Sequence, residues 1–281
     1  MKHCIVIQTD FGRGGGSAMH GVCKMIDPAL EVYEINHTIE KFNIKQAARS
    51  LNLVAPYWPE GTVFVSVIDP GVGTSRRASV AKLKNGSYVV TPDNGALTDL
   101  MKSIGVEEIR VIDESRNRLK GTEKVSIFHG RDLFAYCGAK LASGIIDFEG
   151  VGEAYDLSEI VTFETLPYSV EDGIVKGYIT DRMGTFGNLE SNIPISAMEK
   201  AGFQRNEKIR TVIKENEHVV FDEAVPYQVS FGHVGIGEFL IYNSSDGVMG
   251  MGMNQRDFIH TYAIGMGKEW TIEFRKEKAH A

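Results

Sequence analysis

The stretch VFVSVIDPG, at residues 63–71, decides the fold of this chain. Its first six residues are apolar except Ser66, rich in valine and too few for a helix, which is typical of a strand buried on both faces of a parallel sheet. Pro70 and Gly71 do not continue a strand's hydrogen-bond ladder, so we predict that the strand ends at Asp69. The pattern thus places a carboxylate at the carboxyl end of a buried strand, where open α/β sheets bind their ligands.

Two arginines, Arg76 and Arg77, follow in the same loop. Either is close enough in sequence to fold back onto Asp69 as a charge-assisted partner. For this segment alone, the simpler interpretation is an Asp-Pro-Gly turn with both arginines in solvent.

Strands and helices alternate on both sides of this stretch. We predict strands at 4–8, 31–36 and 108–112, helices at 17–27, 44–55 and 131–143, and a hairpin of 78–83 with 87–91 around Asn85-Gly86. This alternation predicts a mainly parallel sheet covered on both faces.

The second half of the chain has a different pattern. Residues 146–168 show no clear period, whereas 169–281 hold short runs of Val, Ile, Phe and Tyr separated by Gly, Asn and Asp. Such runs are typical of an antiparallel barrel or sandwich. We therefore predict an α/β domain at residues 1–150, a connector at 151–168 and an antiparallel β domain at 169–281.

Composition argues against several classes of protein. The 30 basic and 37 acidic residues give a formal charge of −7 without a dense basic run, which argues against a nucleic-acid partner. Cys4, Cys23 and Cys137 are scattered and odd in number, which argues against a disulfide framework and a structural zinc site. No apolar run has the length of a signal peptide or a membrane span, so we expect a cytoplasmic protein without a membrane partner.

Five polar side chains follow or lie near predicted strand ends and could converge on one rim of the sheet: Asp10, His37, Asp69, Asn94 and His129. Each alone has a simpler interpretation, a turn residue for an aspartate and a capping or core residue for a histidine. Taken together, they predict a functional site at this rim.

Two other kinds of site find little support. The eight histidines form no His-x-His, His-x-x-x-His or His-x-x-Glu-His motif, so a zinc or iron site would need scattered ligands, and we predict no metal. The chain has no Gly-x-Ser-x-Gly elbow, and Cys137 lies on a predicted helix face, where we interpret it as a core thiol rather than a nucleophile.

Five motifs nevertheless occur in the order and spacing of one family: Thr9-Asp10-Phe11-Gly12, Ile35-Asn36-His37-Thr38-Ile39, Val67 to Thr74 with Arg76-Arg77, Pro92-Asp93-Asn94-Gly95 and Phe128-His129-Gly130-Arg131-Asp132. The chain resembles the S-adenosyl-L-methionine (SAM) hydrolases, also called SAM hydroxide adenosyltransferases, which are relatives of fluorinase and chlorinase. The match continues at Asp181 and Phe186-Gly187-Asn188, so it covers nearly the whole chain.

The resemblance implies an amino-terminal Rossmann-like α/β domain and a carboxy-terminal β-barrel domain. It also implies a homotrimer whose active sites lie between the first domain of one subunit and the second of the next. The implied reaction is displacement of L-methionine from C5′ of SAM by water or hydroxide, which yields adenosine. SAM is then the substrate, and no cofactor is expected.

The resemblance also assigns roles to residues. Asp69, Arg76 and His129 match the residues that handle the water. The substrate-binding residues would be Asp10 on the ribose hydroxyls, Phe42 near the sulfonium, Asp181 on the methionine ammonium, Asn188 on the adenine edge, and Phe186 and Phe231 stacked on adenine. Phe128 would also bind the substrate. Ordinary core packing is the alternative for Phe42, Phe186 and Phe231.

Two positions favour water over halide as the nucleophile. In the halide enzymes a Tyr stands at the position of Asp69, and in the fluorinase a Ser stands at that of Gly130. The chain departs from the family in a shorter glycine loop at 13–16, in Ile127 and in residues 251–258. The alternatives are therefore a SAM- or adenosine-binding protein with little catalysis, and an enzyme acting on another adenosyl sulfonium or a 5′-substituted adenosine.

Overall fold

The computed structural model describes residues 3–183 and 185–276. The chain divides into two compact units, Met1–Phe163 and Glu164–Ala281. Most of the predicted connector belongs to the first unit, because hydrogen bonds attach it there: the amide of Val111 donates to the Glu153 carbonyl at 2.9 Å, and the amide of Phe163 donates to Thr98 Oγ1 at 3.2 Å.

The first unit contains a six-stranded sheet. Its strands are β1 Ile5–Thr9, β2 Val32–Asn36, β3 Val63–Val67, β4 Ala78–Leu83, β5 Tyr88–Pro92 and β6 Val106–Val111. They lie in the order β2-β1-β3-β5-β4-β6, and β4 alone runs against the others. The predicted mainly parallel sheet is confirmed.

Helices cover both faces of this sheet. They are α1 Ser17–Ile26, α2 Ile44–Val54, α3 Thr98–Ser103, α4 Glu114–Asn117 and α5 Tyr136–Ala142, with a π-helix at Gly130–Ala135. Val63 and Val65 pack with α1 and α5 on one face, while Phe64 packs with α2 and α3 on the other. All five residues of β3 are buried, as a strand enclosed on both faces requires.

The hairpin between β4 and β5 forms at the predicted Asn-Gly turn. Gly86 has φ +81°, a conformation that glycine adopts without a steric penalty, and the Leu83 amide donates to the Ser87 carbonyl at 2.8 Å. Because β4 runs in the opposite direction, its first residues lie at the edge of the sheet where β1, β3 and β5 end. The loop that carries Arg76 is therefore at the same rim as Asp69.

The second unit is a nearly closed antiparallel barrel, as predicted. Its strands are β7 Ser169–Glu171, β8 Ile174–Met183, β9 Asn188–Pro194, β10 Lys208–Glu215, β11 His218–Pro226, β12 Phe239–Asn243, β13 Val248–Met253 and β14 Trp270–Lys276, and its helices are α6 Ile195–Lys200 and α7 Phe258–Thr261. The order is β11-β10-β14-β8-β9-β13-β12, with β7 paired to β8. The two end strands meet where Tyr227 bridges to Ile241.

Within the described ranges, no helix combines the length and apolar character needed to cross a membrane.

Candidate active site

A cleft of about 500 Å³ opens at the carboxyl ends of β1 and β3 in the first unit. Its lining includes six of the residues named above or their neighbours: Asp10, Phe11, Phe42, Asp69, Phe128 and His129. The volume falls in the range of small-molecule sites, and the lining combines aromatic rings with a few ionisable groups.

Asp69 and Arg76 form a buried ion pair beside this cleft. Arg76 Nε donates to both carboxylate oxygens, at 2.9 and 3.1 Å, and Nη2 contacts the same carboxylate. The side chains are only 6% and 11% exposed, so the solvated-arginine interpretation is wrong for Arg76. Asn94 supports the loop, because its Nδ2 donates to the Ile68 carbonyl at 2.9 Å.

Arg77 has a different role from its neighbour. Its guanidinium pairs with Glu159, lies 3.7 Å from Asp93 and sits 4.4 Å from the centre of the Tyr155 ring. Arg77 therefore attaches the segment around Glu159, near the end of the first unit, to the sheet. Arg76 is the arginine that pairs with Asp69.

His129, the residue just before the π-helix, completes the cluster. Arg76 Nη2 lies 3.0 Å from His129 Nδ1. A guanidinium can only donate, so Nδ1 accepts and carries no proton in this arrangement. Burial, followed by the charges of Arg76 and Arg118, lowers the pKa of His129 below its usual 6.5, which favours the neutral ring at neutral pH.

Arg118 is a member of this cluster that sequence reasoning missed. Its Nη1 lies 3.5 Å from His129 Nε2 and 2.6 Å from Glu114 Oε2, and its Nη2 contacts the carbonyls of Thr122 and Val125. The side chain is 8% exposed. The one signal in the sequence, a Glu four residues earlier, predicts an ordinary surface ion pair on a helix.

Asp10 and Phe42 meet across the cleft entrance. The Phe42 amide donates to Asp10 Oδ2 at 2.9 Å, and Phe42 has φ +66°, a strained conformation for a bulky residue. The Phe42 ring is 65% exposed rather than packed in the core. Phe128 packs edge-on against Phe11 at 5.6 Å between ring centres. The structure thus brings Asp10, Phe42 and Phe128 to the cleft that holds Asp69 and His129.

The other four predicted residues lie in the second unit. Asp181 is on β8, and Phe186 follows in the β8–β9 turn with 67% of its surface exposed. Asn188 begins β9 and is buried against Gly252, and its Oδ1 has no hydrogen-bond partner among the described residues. Phe231 packs against Tyr242 with 5.1 Å between ring centres. The roles of these four residues stay predictions.

Two further predictions about single residues have clear outcomes. His37 does not line the cleft; its Nδ1 lies 2.8 Å from Thr9 Oγ1, behind the loop that carries Asp10. Cys137 is fully buried, and burial raises the pKa of its thiol to about 12, so the core-thiol interpretation is confirmed.

Comparison with known families identifies the chain. The family model described as the SAM hydroxide adenosyltransferase N-terminal domain matches residues 5–152, and the corresponding C-terminal domain matches residues 181–271. The chain belongs to the SAM hydroxide adenosyltransferase family. This is a family of SAM-using enzymes, and the matched ranges include every predicted site residue.

The relatives of this chain carry two kinds of name. A fluorinase from an Actinoplanes species is 27% identical over 95% of this chain and 96% of its own length. An (R)-S-adenosyl-L-methionine hydrolase from Salinispora tropica is 30% identical over 89% of this chain and 90% of its own length. The hydrolase from Methanocaldococcus jannaschii is 38% identical, over 49% of this chain and 52% of its own length.

Solved structures share the fold. An uncharacterized conserved protein from Thermotoga maritima superposes with a TM-score of 0.87 and 32% identity, over 97% of this chain and all of the other. A conserved hypothetical protein from Thermus thermophilus, at 23% identity and a TM-score of 0.69, has a similar fold over 97% of this chain and 99% of its own.

Proposed function

We propose that the protein hydrolyses SAM to adenosine and L-methionine by attack of water or hydroxide on C5′. The observation that carries this proposal is the buried cluster of Asp69, Arg76 and His129 at the edge of the cleft. Family membership supplies the substrate, and the cluster supplies the means to hold one water.

The chemistry explains why these residue types suit the reaction. Methionine departs from a sulfonium as a neutral thioether, so the leaving group needs no acid. The enzyme must instead hold an oxygen nucleophile in line with the breaking C–S bond and away from bulk water. Only contacts that tighten in the transition state accelerate the reaction.

The hydrogen-bond pattern suggests how the water is handled. A water that binds in the cleft beside Arg76 and His129 would accept from the guanidinium and, once the direct 3.0 Å contact between the two side chains opens, donate to the unprotonated Nδ1. The positive charge of Arg76 favours the hydroxide form of that water, and the neutral His129 can take its proton. Asp69 keeps Arg76 in place through its paired hydrogen bonds.

Hydrolysis is preferred to halide transfer for two reasons. A carboxylate at position 69, where the halide enzymes carry Tyr, repels chloride or fluoride but can accept a hydrogen bond from a neutral water. At position 130, a side chain would place its Cβ 2.9 Å from Phe11 Cζ, so the Ser of the fluorinase would displace that ring. Because fluorinases are also relatives, transfer of a halide to C5′ is the second candidate function.

The remaining assignments belong to the same proposal. Asp10 binds the ribose hydroxyls, Phe42 and Phe128 contact the substrate, Asp181 binds the ammonium, and Asn188, Phe186 and Phe231 bind adenine. A homotrimer, the absence of a cofactor and a cytoplasmic location also stay predictions.

The deciding experiment is turnover of SAM in oxygen-18 water. Hydrolysis at C5′ places the label in the 5′-hydroxyl of adenosine and leaves L-methionine unlabelled. Parallel reactions with fluoride or chloride test for 5′-halogenated adenosine, and a panel of other adenosyl sulfonium compounds tests for another substrate. Unlabelled adenosine or a halogenated product contradicts the proposal. Tight adenosine binding by calorimetry without turnover supports the binding-protein alternative.

A further inference from the structure

Three side chains that the proposed reaction does not use meet on the first unit. His20 lies on α1, while Glu34 and His37 lie on and just after β2. Glu34 Oε1 is 3.1 Å from His20 Nε2 and 3.2 Å from His37 Nε2. One ligand atom from each residue lies within 4.8 Å of the other two.

The local fold holds the His37 ring firmly in this position. Its Nδ1 is 2.8 Å from Thr9 Oγ1, and a Cβ at position 16 would lie only 2.3 Å from its Nε2, so glycine at that position makes room for the ring. A hydrogen bond from Nδ1–H to the threonine hydroxyl leaves the lone pair of Nε2 facing Glu34. Metal-binding histidines commonly have such an outer partner, which fixes the tautomer.

The facing nitrogens are buried and unpaired. Neither His20 Nε2 nor His37 Nε2 has a hydrogen-bond partner among the described residues, although both lie near the same carboxylate oxygen. The contacts therefore have the distance but not the direction of hydrogen bonds. His37 is 8% exposed, so water does not readily satisfy its nitrogen.

We propose that His20, Glu34 and His37 bind a divalent transition-metal ion, with zinc as the best fit. Zinc bonds of about 2.0–2.1 Å in a tetrahedral arrangement separate neighbouring ligand atoms by roughly 3.3 Å. The nitrogen–oxygen distances of 3.1 and 3.2 Å to Glu34 are close to this value. Two imidazoles and one carboxylate favour zinc over magnesium or calcium, which prefer oxygen ligands. Glu34 is half exposed, which gives solvent access to the fourth position.

The site is structural and braces the loop at the end of β1. The Gly12 amide donates to the His37 carbonyl at 2.8 Å, and Thr9 contacts the ring of the same histidine. His37 is thus bonded to both ends of the loop that carries Asp10. A metal that fixes His37 stabilises this loop, whichever reaction the cleft performs.

The test uses cobalt as a visible probe for zinc. The purified full-length protein, treated with a chelator and dialysed, is titrated with Co²⁺, and we expect one ion per chain with the intense visible absorption of four-coordinate cobalt. Zinc should displace the cobalt and raise the midpoint of thermal unfolding. His20→Gln and Glu34→Gln should each weaken binding by more than about 100-fold, since loss of an outer partner alone costs roughly 10–100-fold.

His260→Gln is the matched control. His260 also contacts a carboxylate, with its Nδ1 2.6 Å from Asp257 Oδ2, but no third ligand completes a cluster there within the described residues. This variant should keep the cobalt spectrum and the affinity. Both test positions are partly exposed, and a metal-free thermal melt of each variant verifies that it folds.

Failure to bind cobalt or zinc at micromolar concentration overturns the proposal. So does equal binding by the wild type, His20→Gln and Glu34→Gln. Glu34 would then be a carboxylate that lies between two imidazoles without a metal. Because the readouts are absorption, affinity and unfolding, the result does not depend on whether SAM is the substrate.

Discussion

At the scale of single residues, Asp69 has two functions that can be separated. It fixes Arg76 through paired hydrogen bonds, and it contributes a negative charge at the wall of the cleft. An asparagine keeps the shape of the side chain but loses the charge, and its amide group adds a donor that faces the donors of Arg76.

Asp69→Asn should lower the turnover of SAM by about 10²-fold, the cost of displacing a catalytic group by about 1 Å, because Arg76 loses the carboxylate that holds it. It should also destabilise the fold by about 3–5 kcal/mol, because a largely buried guanidinium loses its partner. Steady-state kinetics and urea unfolding measure the two effects. Asp222→Asn, which breaks the exposed Arg210–Asp222 pair, is the control and should cost less than about 1 kcal/mol. Wild-type turnover by Asp69→Asn would show that the carboxylate takes no part.

His129 should set the acidic limb of the pH profile. Its pKa is lowered, so the ring becomes protonated only below the usual 6.5, and kcat/KM should fall as the pH drops through that lowered value. Arg118→Gln removes one of the charges that lower this pKa, and the limb should move to higher pH. Arg116→Gln, which removes an exposed charge paired with Asp113, should leave the limb in place. A shift to lower pH in Arg118→Gln would contradict the assignment.

At the scale of elements, α5 packs closely on the sheet at Gly138. A Cβ there would lie 2.9 Å from Val65 Cγ2 and 3.3 Å from Ile5 Cδ1. A Cβ added at Gly21 on α1 would have open space around it, with nothing within 4 Å. The two glycines thus provide a matched pair within helices of one unit.

Gly138→Ala should lower the free energy of unfolding by about 1 kcal/mol, because overpacking costs roughly 1–3 kcal/mol and outweighs the gain in helix propensity. Gly21→Ala should raise it by about 0.5–1 kcal/mol. Urea unfolding of both variants measures the difference. Stabilisation by Gly138→Ala would mean that α5 is not packed against β3 as described.

The sequence predicts secondary-structure elements better than it predicts which side chains contact each other. The valine-rich run of β3 and the Asn85-Gly86 turn are local signals, and both elements form where expected. Arg76 and Asp69 are close in sequence, so their pairing was also within reach of local reasoning. The contact of Arg118 with His129 and that of His20 with Glu34 could not be predicted in this way. They depend on how separate segments pack together, and no local sequence pattern indicates that packing.

At the scale of the whole molecule, exposed apolar side chains surround the cleft of the first unit. Ile127 is 84% exposed and Phe42 is 65% exposed, and both line the cleft. Such side chains are typical of surfaces that a substrate or another chain covers. The family resemblance implies a homotrimer, which stays a prediction.

Light scattering at the protein concentration of the activity assay should therefore give a mass about three times the 31.0 kDa of one chain. Dilution to the point of dissociation should reduce turnover per chain, because the resemblance implies that each active site needs two subunits. A 31.0 kDa particle with full turnover would argue against an assembled site.

The short loop between β3 and β4 has a consequence for how the cluster assembles during folding. Asp69 and Arg76 are seven residues apart, so closing that loop costs little chain entropy, whereas His129 lies a further 53 residues along the chain. Contacts between residues close in sequence favour fast formation, so we expect the ion pair to form before His129 joins it. We therefore expect a refolding chain to position the guanidinium that holds the water before the imidazole that takes its proton.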